Sequence, residues 1–110
     1  MTQPLNRTII ERARTLIADE QNWCRGVIAR DERGGAVDPT DPTALRRCAY
    51  GALVAAAYEL VRDIAKAHDL AVVAARQVCC CSSLISINDH RGHAEVLSLL
   101  DRAHSASRNE

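Results

Sequence analysis

From Ile9 to Ile17 apolar residues return every three or four positions (Ile9, Ile10, Ala13, Leu16, Ile17), with Glu11, Arg12, Arg14 and Asp19 on the other side. This is the period of a helix with one buried stripe. Thr8 and Glu11 have capping-box spacing and Asn6 is an alternative cap, so the helix is expected to open near Asn6. From Gln21 to Asp41 the period is lost. Two short apolar pieces, beginning at Val27 and ending at Val37, surround a charged turn containing Gly34 and Gly35, which predicts a hairpin-like insertion over residues 24–38.

Pro39 and Pro42 end that insertion, since proline lacks a backbone donor and biases the residue before it toward extended backbone. Asp41 reads as the N-cap of a second helix, with Pro42 at its first position. Between Cys48 and Tyr58 this helix has no charged residue, so a rod from Leu45 to about Ile64 is expected at the centre of the fold. Gly51 inside it costs about 1 kcal/mol relative to alanine. The stripe Cys48, Gly51, Ala52, Ala55 explains that cost if another backbone passes close by.

A break is expected near His68, with Asp69 capping a third helix whose inner face runs through Leu70, Val73, Ala74, Val78 and Cys81. Ser82 and Ser83 interrupt it. Leu84 to Ile87 reads as one apolar turn and Asn88 to Gly92 as a tight loop. The last helix turns Val96, Leu97, Leu100 and Ala103 inward and Glu95, Ser98, Asp101 and Arg102 outward, and residues 105–110 are expected to fray. The fold class is therefore mainly α: a single domain over 1–110, about four helices around a central apolar helix, with a small hairpin-like insertion between helices 1 and 2.

Composition narrows the function. Fourteen basic residues balance fourteen acidic ones, and Trp23, Tyr50 and Tyr58 are the whole aromatic complement. Neither a field for phosphate nor a base-stacking platform is present, so no nucleic-acid partner is expected. No stretch approaches the roughly 18 apolar residues that a membrane span needs, and the start lacks a signal-peptide core; no membrane association and a cytoplasmic location are expected. Five cysteines, three of them consecutive at Cys79, Cys80 and Cys81, do not make a secreted disulfide framework.

Trp23 to Gly26, Ala29 to Asp31, Cys48 to Leu53, Asn88 with Asp89, and His93 to Leu97, in this order, resemble a family of small bacterial and phage proteins of unknown function. The likeness runs from about Ile9 to Ala103. It implies a compact helical domain and brings no known activity, substrate or cofactor.

The candidate chemistry lies in the same segments. Cys24 or Cys48 could act as a nucleophile, with His90 or His93 as base and Asn88 or Asp89 to orient it. Arg25 beside Cys24 would favour the thiolate. A zinc site from Cys24, Cys48 and His93 lacks the paired ligands two to four residues apart that such sites use, so neither metal nor cofactor is called for. Successive side chains on a helix point about 100° apart, so Cys79 to Cys81 cannot converge on one ion. The duller reading makes Cys48 a buried small hydrophobe, Trp23 a core anchor whose indole N–H needs Asn88 or Asp89 as acceptor, and Asn88–Asp89 a helix-terminating pair.

Two functions follow. One is a non-enzymatic interaction module, homodimeric or with a protein partner, docking through the small-residue stripe or the first helix. The other is a small enzyme or ligand-binding protein with a pocket formed by Trp23, Cys24, Arg25, Cys48, Asn88, Asp89 and His93.

Overall fold

A computed structural model describes residues 2–79 and 83–108. Among them are five α-helices: α1 (Thr2–Leu16), α2 (Ala49–Val61), α3 (Ile64–Val78), α4 (Leu84–Arg91) and α5 (His93–Arg108). Between α1 and α2 lie β1 (Ala29–Arg30) and β2 (Arg46–Arg47). The mainly helical class and the inserted hairpin are as the sequence predicts.

Helix α1 starts at Thr2, earlier than the capping signals suggest, so Asn6 is a buried residue inside the helix, donating to Gln77 Oε1 at 3.0 Å. Its predicted stripe is correct: Ile9, Ile10, Ala13 and Ile17 are wholly buried and only Leu16 is half-exposed. This helix packs on α2 and α5. Two forked ion pairs on its outer side, Arg12 to Glu59 of α2 and Arg14 to Asp101 of α5, each at 2.9 Å, fix its orientation. Among the described side chains of this helix none of the large apolar ones is in the exposed class; Leu5 and Leu16 are half-buried.

The insertion differs in its pairing. Asp31 caps the predicted turn, accepting from the backbone of Arg33 and Gly35, and Gly34 takes the positive φ of 84° that this turn needs. Only one bridge, Arg30 with Ala36, joins the two arms. The strand partner of Ala29–Arg30 is instead Arg46–Arg47, antiparallel, with Ala29 opposite Arg47 and Arg30 opposite Arg46. Asp41 does not cap a helix. Like Asp38, it closes a local turn, accepting from the backbone and hydroxyl of Thr43, and these bonds hold its carboxyl below the usual range.

The central apolar helix is present but shorter than expected. Cys48 is its N-cap, and every residue from Ala49 to Ala57 is buried except half-buried Tyr50. Leu45 and Ile64, the expected ends of the rod, are 52% and 51% exposed. The helix stops at Arg62, whose left-handed backbone (φ 54°) lets its N–H close onto the Tyr58 carbonyl. Asp63 then accepts from Lys66 N and starts α3, so the break falls five residues before His68 and Asp69 lies within a helix. The Gly51 stripe has the role that its small residues suggest. A methyl group at Gly51 would overlap the Ile28 carbonyl oxygen, because the insertion's own backbone crosses there. That stripe is occupied from within the chain.

The buried face of helix α3 is rotated from the predicted one: Ala74 and Val78 are buried as expected and Leu70 partly so, but Val73 is not. Ala67, Ala71, Ala74 and Val78 are buried against α2, while Val73 is 43% exposed and Leu70 is half-exposed. Alanines let two backbones approach closely, and α2 is itself alanine-rich; three of the four buried positions of α3 are alanine, while Val72 and Val73 are turned out. Cys81 and Ser82 lie outside the described residues. Ser83 caps α4, accepting from Ser86 N. The expected loop at Asn88 to Arg91 is the second half of this helix, and Gly92 ends it. In α5, Val96, Leu100 and Ala103 are buried as predicted, Leu97 is half-buried, and the helix extends to Arg108. Among the described residues no helix is long and apolar enough to cross a membrane.

Candidate functional site

The residues singled out by sequence do converge, and the centre of their cluster is Asn88. It is wholly buried in α4 and its amide bonds in four directions. Its Oδ1 accepts from Trp23 Nε1 at 2.6 Å and from Ala49 N, the first amide of α2, at 2.9 Å. Its Nδ2 donates to the Cys24 carbonyl at 3.0 Å and to Asp89 Oδ1 at 3.2 Å. The same Asp89 oxygen accepts from Gly26 N at 3.0 Å.

Arg25 lies over the cluster, donating to the Asp89 carbonyl at 3.2 Å with its guanidinium 5.0 Å from the centre of the Trp23 ring. On Trp23 also leans the His93 ring, at 5.4 Å. Its Nε2 lies 2.6 Å from the Ile17 carbonyl, which only accepts, so this nitrogen carries the proton. His90 is exposed on α4. Asn88 and Asp89 thus neither end a helix nor cap the next one; they pin the Trp23–Gly26 loop and the start of α2 onto α4.

Neither thiol in this cluster is activated. Cys48 accepts from Gly51 N at 3.3 Å at the head of α2, a position that normally favours thiolate, yet burial dominates and pushes its pKa up to about 11. Burial also raises Cys24, outweighing Arg30, Arg46 and Arg47, which pull the other way, while its Sγ rests on the Val27 carbonyl. The cluster is dense and nearly every polar atom named has a partner. Among the described residues no group of three or more His, Cys, Asp or Glu is placed to hold a metal ion.

A second region lies on α3 and escaped the sequence reading. Asp69, Val72, Val73 and Arg76 form its exposed stripe, at the spacing of one helix face and opposite the buried Ala67, Ala71, Ala74 and Val78. Val72 is 40% exposed and Val73 43%; Ile85 of neighbouring α4 is 41% exposed. Val72 and Ile85 line a shallow groove of about 210 Å³ between α3 and α4, with Tyr50, Arg76 and Cys79 also in its walls. Behind it the Tyr50 hydroxyl meets His68 Nδ1 at 3.2 Å, and the other ring nitrogen of His68 faces Asp38 at 3.8 Å. Neither Asp69 nor Arg76 makes a side-chain hydrogen bond or ion pair with another described residue. The spacing was legible, but hydrophobicity alone assigned Val73 to the core.

No curated protein and no solved structure matches the chain. The model of one protein family matches residues 1–106, nearly the whole length, and the chain belongs to that family, a family of unknown function (DUF6197).

Proposed function

We propose that this protein is a non-enzymatic interaction module that self-associates through the outer face of α3. The observation behind this reading is the exposed pair Val72 and Val73, adjacent on one face of α3 and flanked by Ile85 and a groove. Balanced charge adds to it: copies with no net charge do not repel one another, whereas nothing in the composition favours a strongly charged partner. The polar cluster around Asn88 argues against catalysis there, because a nucleophile or base must be free to reach a substrate.

One helix face lies at the small end of stable interfaces, so the dimer is expected to dissociate at roughly micromolar concentration. Sedimentation velocity from about 1 to 300 μM is the direct test: the average mass rises toward twice that of the chain as concentration increases. A monomer across the whole range would refute the reading. The double variant Val72→Ser with Val73→Ser is expected to stay monomeric throughout.

A further inference from the structure

The α3 stripe also carries a pattern that specifies how two copies would meet. Asp69 stands three residues before Val72, and Arg76 stands three residues after Val73. An axis midway between the two valines therefore relates the positions of the acid and the base on an antiparallel neighbour. With about 100° per residue, the four positions span roughly a quarter of the helix circumference, so all can face one partner helix.

Resting on the self-association reading above, we infer that two copies pair α3 against α3 antiparallel about a two-fold axis between Val72 and Val73, with Asp69 of each copy meeting Arg76 of the other. Each copy then offers the same patch to its mate, as an isologous contact requires. Val72 packs opposite the mate's Val73, and Ile85 broadens the apolar centre. The ion pair forms twice, once at each end.

Three features support this partner over an unrelated one. Asp69 and Arg76 lack an ion-pair partner among the described residues, and opposite signs lie on opposite sides of the valine pair. An acid and a base on the same side would suit a parallel or heterologous contact; two residues of one sign would repel across the axis. Val72 and Val73 project from a helix whose inner face, Ala67, Ala71, Ala74 and Val78, is mostly alanine, and they stand as knobs beside the groove at Val72 and Ile85.

Charge exchange tests the geometry. Asp69→Arg alone places two arginines on the stripe, and Arg76→Asp alone two aspartates, so each variant faces like charges at both ends of its own dimer. Each is expected to weaken homodimerisation by about tenfold or more at low salt, because one substitution turns two attractive pairs into repulsive ones. Mixing the two variants should give a heterodimer, and combining both substitutions in one chain should restore the homodimer. Sedimentation of the four samples reads all of this, and circular dichroism confirms that these exposed substitutions leave the helices intact. A wild-type dimer whose affinity ignores the single reversals, or a doubly exchanged chain that is not restored, would overturn the antiparallel geometry while leaving self-association in place. A wild-type monomer would overturn both.

Discussion

The cluster around Asn88 and the outer stripe of α3 are opposites. In the first, residues that suggest catalysis (two cysteines, a histidine, an aspartate, a tryptophan) bond to one another or to backbone, and both thiols are held protonated by burial. In the second, Asp69, Val72, Val73 and Arg76 meet water. The difference teaches that reactive residue types do not by themselves mark a site. A buried asparagine can make about four bonds, and using all of them on the fold leaves nothing for a substrate. Unpartnered apolar and charged groups at one spacing are where this molecule still has interaction energy to gain.

The sharpest way to break that contrast is at Asn88. Asn88→Ala leaves the Trp23 indole N–H, the Ala49 amide and the Cys24 carbonyl buried without their partner, and each costs about 1–3 kcal/mol. A loss of about 4 kcal/mol in urea unfolding is expected. Gly51→Ala comes next: its methyl must displace the Ile28 carbonyl, for about 3 kcal/mol by the same measurement. A change of less than about 1 kcal/mol in either would mean that the insertion does not lie tightly on α2 and α4.

Smaller effects separate the two regions further. Alkylation mapped by mass spectrometry at pH 8 is expected to modify Cys48 at least about tenfold more slowly in the folded chain than in urea, since the thiolate is the nucleophile. The raised pKa also fixes the direction of a pH effect on stability. The folded state favours the protonated thiol, so the contribution is complete below the ordinary thiol range and is lost as pH rises toward about 11. Last, Val72→Ser with Val73→Ser should shift unfolding by no more than about 0.5 kcal/mol when measured on dilute monomer, because both side chains already face water. A large loss would show that the stripe belongs to the core of the fold.

Much of the fold was legible from spacing. The α1 stripe and the inward positions of α5 follow from period 3.6 with one apolar face, and the uncharged run from Cys48 to Tyr58 could only be central. Gly51 signalled a crossing backbone because nothing else justified glycine in a buried helix. Boundaries were harder. Asp41 and Asp69 read as caps in sequence, but it is Asp63 that accepts from the amide three residues on at the start of a helix. Asn88 looked like a loop residue, since asparagine is as common in turns as it is poor in helices; its helical place is sustained by bonds to segments 39 and 64 residues away.

By itself the sequence determined that the chain folds as helices around an apolar centre, with an inserted turn at Gly34 and Gly35, because these depend on the order of residues within a turn or two. Which of α3's two small-to-medium faces turns inward depended on how closely α2 could approach, and alanine against alanine decided it. That choice left Val72 and Val73 outside; separately, hydrogen bonds between segments far apart in sequence gathered Trp23, Cys24 and Asn88 into a tie instead of an active site.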